Sequence, residues 1–139
     1  MRLASGIGVL LWLLISGCGA ALAADGDGGR SQTSLNEGWR YADGPQAGAE
    51  APEFDDAAWT GIRLPHTWNA DDAFDKRKPY RRGEGWYRRA LVVPAAQCGK
   101  RLFAYFEGAN QVAEVFLNGR SLGTHVGGYT AFAFELTPH

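Results

Sequence analysis

At 139 residues the chain has room for one domain with a proper core and no more. A hydrophobic share of 45%, a charged share of 21% and 19 glycines fit a turn-rich globular protein. The formal net charge of -1 excludes nucleic acid as the default partner, because neutralising phosphates requires a clear basic excess. The histidines (His66, His125, His139) and cysteines (Cys18, Cys98) show no zinc-type ligand spacing, so neither a metal nor another cofactor is expected.

Residues 1–23 read as an export signal. Met1-Arg2 is a short positive start, Ile7 to Ile15 an apolar stretch too short to span a bilayer comfortably, and Ala21-Leu22-Ala23 a small-residue cleavage site. A second reading lies inside it: Ile15-Ser16-Gly17-Cys18 resembles a bacterial lipobox, in which Cys18 becomes a lipidated first residue and the only route to membrane anchoring. Both readings stay open, with residues 1–23 taken as the signal. In either case the chain is exported, to the periplasm or the extracellular space, and possible anchoring makes it a lipoprotein. Loss of Cys18 with the signal leaves Cys98 without a partner, so no structural disulfide is expected.

Residues 24–34 carry Gly, Asp, Ser and Thr without apolar periodicity and read as a disordered linker. The domain, 35–139, begins with a short strand from Leu35 to Tyr41 anchored by Trp39. A Gly/Pro/Ala loop covers Ala42 to Pro52. Glu53 to Trp59 suits a single helical turn with an acidic start that brings Phe54 and Trp59 down as covering residues. Ile62 to Leu64 is extended until Pro65 stops it. His66 to Glu84 then has no regular period, and a loop of that length inside a compact domain is usually functional or disordered.

Trp86 to Val93 returns to strict alternation, with Tyr87, Arg89, Leu91 and Val93 on one face and Trp86, Arg88, Ala90 and Val92 on the other. Of the two arginines in it, one is expected to point out and the other to pair with an acidic neighbour. Arg101 to Glu107 is the next strand. Asn118-Gly119 between two alternating runs predicts a tight hairpin, because both residues tolerate the positive φ of a type I′ turn. A two-residue turn places Leu117 opposite Arg120, Val115 opposite Leu122 and Ala113 opposite Thr124 on a core-facing side. Val112, Glu114, Phe116, Ser121, Gly123 and His125 fall on the other. Thr130 to Leu136 is the last strand, and the pattern predicts neither a long helix nor a repeat.

Short strands at eight-to-twelve-residue spacing predict an all-β fold, a jelly-roll β-sandwich of about eight strands. The chain stops directly after a strand, so the sandwich is expected to be cut short before its last strands.

Several short motifs in order carry a family resemblance: Leu35-Asn36-Glu37-Gly38-Trp39-Arg40, Phe54-Asp55-Asp56 with Trp59, Leu64-Pro65-His66-Thr67-Trp68-Asn69, Gly85-Trp86-Tyr87-Arg88-Arg89, Phe106-Glu107-Gly108, Val115-Phe116-Leu117-Asn118-Gly119, and His125-Val126-Gly127-Gly128-Tyr129-Thr130 with Phe132. The succession resembles the amino-terminal sugar-binding domain of glycoside hydrolase family 2, which includes β-galactosidases, β-glucuronidases and β-mannosidases. The resemblance implies a following immunoglobulin-like sandwich and a (β/α)8 barrel as partners in the same enzyme. Retaining hydrolysis needs two carboxyl groups about 5 to 5.5 Å apart, and the resemblance places both on the barrel, outside this chain. No catalytic residue is therefore expected here, and the fragment alone should be inactive. The expected function is that of the sugar-binding domain of an exported β-glycosidase, of β-galactosidase type. The alternatives are a stand-alone carbohydrate-binding or interaction module, and a truncated gene product.

In some members of that family a loop of this domain reaches the active-site rim. Here such a loop would arise from His66 to Glu84, and by position Asp72, Asp75, Tyr80 and Arg82 are the candidate substrate-binding residues for a β-glycoside. A carboxylate beside an aromatic ring suits a sugar, since the acceptor takes hydroxyls and the ring covers an apolar sugar face. The competing reading makes them solvated loop residues, with Tyr80 packed at a domain boundary. Lys76-Arg77-Lys78 with Arg81-Arg82 could bias a site toward uronates or could simply be a solvated run. Trp39, Trp59, Trp68 and Trp86 read as core or interface packing ahead of a stacking platform, and His66 and His125 as hydrogen-bonded structural histidines.

Overall fold

A computed structural model describes residues 7–13, 30–69 and 81–137, the first of these through its backbone. The described residues are all-β apart from one 3-10 turn at Ala95–Gln97, and they build a jelly-roll sandwich of two sheets. The strands are β1 (Ile7–Leu13), β2 (Trp39–Asp43), β3 (Thr60–Ile62), β4 (Gly85–Leu91), β5 (Phe103–Phe106), β6 (Val112–Leu117), β7 (Arg120–Val126) and β8 (Phe132–Glu135). The larger sheet runs β3-β2-β4-β1-β6-β7 and the smaller pairs β5 with β8.

Backbone of the apolar stretch Ile7–Leu13 lies within the larger sheet. β1 is parallel to β4, with Ile7 opposite Gly85 and Leu13 opposite Leu91, and parallel to β6, with Ile7 opposite Ala113. Every other pair is antiparallel. Cys18, the Ala21-Leu22-Ala23 site and the start of the linker lie outside the described residues.

The core sits between the two sheets, where Trp39, Ala104, Val115, Leu117 and Leu136 are buried and Tyr87, Leu91, Phe106, Leu122, Phe132 and Phe134 close around them. Val115 and Leu117 are fully enclosed, each contributing about 1.5–3 kcal/mol by burial. Alternation along β6 explains this: Ala113, Val115 and Leu117 point inward while Val112, Glu114 and Phe116 are half-buried on the outer face.

The hairpin turn forms as its sequence requires, with Asn118 at φ 50° and Gly119 at φ 81°. Its register departs from the simple alternation beyond Ser121. Leu117 faces Arg120, but a bulge shifts the ladder so that Val115 faces Gly123, Glu114 faces Thr124 and Ala113 faces His125. Gly123 and His125 therefore share the core-facing side. The physical reason is the small sheet: a Cβ on Gly123 would stand 2.8 Å from the Phe134 ring, and its φ of 138° favours glycine. His125 then stacks on Phe132 at 4.1 Å.

Glu53 to Trp59 forms turns and no helix. The Ala57 N–H donates to Asp55 Oδ1, the Trp59 N–H donates to the Asp56 carbonyl, and Phe54 meets Trp59 edge-on at 5.5 Å. The first predicted strand starts later than its sequence suggested, at Trp39, because Leu35 accepts from the Trp39 indole N–H and Asn36 accepts from the Leu64 N–H.

Arg40 and Arg88 are direct cross-strand partners on the outer face of the larger sheet, an arrangement that repels. The Asp56 carboxylate lies between them, 3.4 Å from Arg40 Nε and 2.9 Å from Arg88 Nε. Arg88, 3% exposed, also donates to the carbonyls of Ala49, Ala51, Pro52 and Phe54. The Ala42 to Pro52 loop is thus tied to β4. Arg89 differs from the expectation of an outward arginine: its Nη1 is buried and has no hydrogen-bond partner among the described residues.

Gly119→Val should lower unfolding free energy by about 1 kcal/mol or more, since a β-branched residue resists positive φ; an unchanged denaturation midpoint would remove the turn's importance. Asp56→Ala should cost on the order of 2–3 kcal/mol, because it leaves two arginines facing each other, and added salt should recover part of that loss. Arg89→Met should raise the thermal midpoint of the 139-residue chain by removing an unsatisfied buried donor.

Candidate functional site

One edge of the sandwich gathers side chains whose packing exceeds what the core requires. Leu64 to Asn69 lies against the sheet there through the bond from the Leu64 N–H to the Asn36 carbonyl, and presents His66 and Trp68 to Tyr41 of β2 and Tyr87 of β4. Tyr41 and Tyr87 are cross-strand partners with ring centroids 5.0 Å apart. His66 lies 4.8 Å from the Tyr41 ring, and its Nδ1 is 2.9 Å from the Tyr87 hydroxyl. Gly85 makes room for the indole, since a Cβ there would stand 2.2 Å from Trp68. That close approach explains the glycine at the start of β4.

Arg81 closes the group. Its guanidinium lies 4.7 Å from the Trp68 ring and 5.7 Å from the Tyr41 ring, donates to the Tyr41 hydroxyl and the Glu84 carbonyl, and pairs with Asp43. Asn69, 8% exposed, binds Arg81 from the other side of the chain: its Nδ2 donates to the Arg81 carbonyl at 3.3 Å and its Oδ1 accepts from the Arg81 N–H at 3.1 Å. Burial raises the Tyr87 phenol well above its ordinary range, helped by the neighbouring Tyr41 and opposed by Arg81. Burial also holds the His66 imidazole below its usual value. Tyr41, Asp43, Gln46 and Trp59 line an open cleft of about 400 Å³ beside this group.

Arg82 is exposed and follows the clamped Arg81 directly. Asp72, Asp75 and Tyr80 lie outside the described residues, as do Lys76-Arg77-Lys78. Asn69 and Arg81 are held side by side by the Asn69 side chain. Tyr41 and Asp43 carry no mark as site residues in the sequence, because they reach Arg81 from a strand about 40 positions away; Arg81 stands out there only within its basic run, and the Trp68-Asn69 and Tyr80-Arg81-Arg82 steps inside the aperiodic stretch are the available signal.

The tryptophans pack and do not form a platform: Trp39 is in the core, Trp59 meets Phe54, Trp68 lies beneath Arg81, and Trp86 stacks on Phe116 at 6.1 Å. His125 bonds to Thr130 Oγ1 at 3.1 Å, as a structural histidine does. Asp43, Asp56 and Glu135 are engaged in ion pairs with Arg81, Arg88 and Arg101. Among the described residues no group of three or more His, Cys, Asp or Glu is arranged to hold a metal ion. The edge offers rings, amides and guanidinium groups, which is binding chemistry.

His66 makes stability pH-dependent with a defined sign. Its folded pKa lies below the unfolded value of about 6.5, so the unfolded chain takes up the proton first as pH falls. The stability it supports is complete above that pH and is lost as pH falls from there through the folded value. His66→Gln should therefore be less stable than wild type at pH 7.5, with the gap narrowing toward pH 5 in denaturation curves of both chains; a gap that widens on acidification would reverse the assignment.

Residues 33–139 match the family model described as "Glycosyl hydrolases family 2, sugar binding domain". A β-glucuronidase of Bacteroides fragilis is 41% identical over 108 residues, covering 78% of this chain and 14% of that protein. The β-galactosidase BoGH2A of Bacteroides ovatus is 35% identical, covering 96% of this chain and 18% of its own length. Among solved structures, Bacteroides uniformis β-glucuronidase 2, covalently bound to cyclophellitol-6-carboxylate aziridine, superposes with a TM-score of 0.73 at 40% identity over 76% of this chain and 12% of that one. The chain spans between 12% and 18% of the length of these and similar curated relatives. The match from residue 33 to 139, on a jelly-roll sandwich of the same shape, places the chain in glycoside hydrolase family 2 as its sugar-binding domain.

Proposed function

We propose that this chain is the amino-terminal sugar-binding domain of an exported, retaining β-glycosidase whose catalytic carboxylates lie on another domain. The observation that carries the reading is the family match over residues 33–139. The aromatic and arginine edge around Tyr41, Trp68 and Arg81 supports it, because it fixes the ends of the segment bearing Asp72, Asp75 and Tyr80 and sets Arg82 at its exit. Those four residues are the proposed contacts with a β-glycoside. Export is supported by the charged start, apolar stretch and small-residue site of residues 1–23, with cleavage after Ala23 or lipidation at Cys18.

Two substrates are in play. The Pro65 to Asn69 motif supports a β-galactoside. A β-glucuronide is supported by the identity to enzymes named β-glucuronidases and by Arg82 beside the Lys76-Arg77-Lys78 run, which suit a uronate carboxylate. Assay of the full-length enzyme on 4-nitrophenyl β-galactoside and β-glucuronide separates them, and hydrolysis of neither would overturn the glycosidase reading. In the active enzyme, Asp72→Ala should raise KM or lower kcat by about tenfold on the preferred substrate, whereas wild-type kinetics would return Asp72 to the solvated class.

A further inference from the structure

Strand β1 lies between two strands that are not bonded to each other. The order β4-β1-β6, with β1 parallel to both, means that β4 and β6 run in one direction, separated by two inter-strand steps or about 9–10 Å. Ile7–Leu13 pairs with β4 along its whole length, Gly85 to Leu91, while β2 reaches only Gly85 to Arg88. Among the described residues, Arg89 to Leu91 therefore have β1 as their one strand partner. Taking β1 away would split the larger sheet into β3-β2-β4 and β6-β7 and leave two facing rows of unpaired N–H and C=O groups.

The slot is finished on both faces. Cross-strand partners share a sheet face, and the register sets Ile7, Val9 and Leu11 level with Ala113, Val115 and Leu117, all fully buried. The core-facing positions of the slot are thus places that demand aliphatic residues. On the outer face the Trp86 ring of β4 and the Phe116 ring of β6 stack at 6.1 Å, although their strands are not neighbours. They meet across β1, where Gly8 is level with Trp86 and Leu10 with Phe116. A parallel strand buried on both faces reads as a continuous apolar run, and Ile7-Gly8-Val9-Leu10-Leu11-Trp12-Leu13 is one.

We infer that the gap between β4 and β6 is a strand-acceptor site for an extended aliphatic segment, and that Ile7–Leu13 is its occupant in the unprocessed chain. The two backbone ladders supply affinity without regard to sequence, and the core-facing positions select aliphatic residues at every second place. The same residues belong to the apolar stretch on which the export reading rests, and a segment held between two strands is closed to a membrane or an export receptor. Folding of the sheet and export consequently compete for one segment. The acceptor site stands apart from the glycosidase reading, since its occupant is a peptide.

The test uses the 139-residue chain with a site-specific protease sequence placed in the linker at 24–29 and cut while folded. The amino-terminal fragment should stay with the remainder through gel filtration. Refolded from urea with an excess of a labelled synthetic peptide of residues 5–15, carrying lysines at its ends for solubility, the cut chain should take up the peptide in place of the fragment. Leu10→Val in the peptide should leave the half-saturating concentration within about threefold, whereas Leu10→Pro, which lacks an N–H for the ladder, should raise it about tenfold or more. Because these substitutions are in the peptide, the folding of the domain does not enter the comparison. Loss of the fragment on cutting, whether the remainder stays soluble or precipitates, overturns the site, as does failure to take up the unsubstituted peptide. Equal uptake of the Val and Pro peptides reduces the contact to apolar adhesion and overturns it as well.

Discussion

The outer face of the larger sheet is organised by one carboxylate between two arginines. Arg40 and Arg88 stand directly opposite each other on adjacent strands, and without Asp56 between them their repulsion would act against the pairing of β2 with β4. Because Arg88 is buried, its charge requires further acceptors, and carbonyls of Ala49, Ala51, Pro52 and Phe54 supply them. A loop with no regular structure acquires a fixed path in this way. Isolated surface ion pairs such as Arg63 with Glu37 do nothing comparable, since solvent screens both partners.

Local chemistry made much of the fold legible. Asn118-Gly119 dictated its own turn, the alternation of Ala113, Val115 and Leu117 dictated the buried face of β6, and the glycines and prolines marked the strand ends. The errors arose where a second sheet intervened. The register beyond Ser121 depends on Phe134 pressing against Gly123, a contact across the sandwich that periodicity along β7 cannot reveal. The single helical turn expected at Glu53 to Trp59 yielded to tertiary demands, as Asp56 was drawn to the two arginines and the Asp55 carboxylate capped the Ala57 N–H.

The candidate site was legible by region more than by residue. The aperiodic stretch His66 to Glu84 pointed to the edge where Trp68, Asn69 and Arg81 meet, since a compact domain rarely tolerates such length without purpose. What the residue pattern could not supply was Tyr41 and Asp43, brought to Arg81 by strand pairing across the sheet. Nor could it supply Asn69 as a partner of Arg81, because a side chain substituting for a strand leaves no periodic mark.

Strand β4 connects the two halves of this picture. Successive residues point to opposite faces, so Tyr87 turns toward His66 and Tyr41 while Arg88 turns toward Asp56 and the carbonyls of the covering loop. Gly85 and Tyr87 thus seat the arm of residues 64 to 69, and Arg88, one position on, anchors the 49 to 56 loop. Two irregular segments are positioned by alternate residues of one strand, with no helix required. With Asp43, Asp56 and Glu135 engaged in ion pairs, rigid presentation of such segments is the contribution this chemistry makes, and it explains why the most constrained side chains lie at the edge as well as in the core.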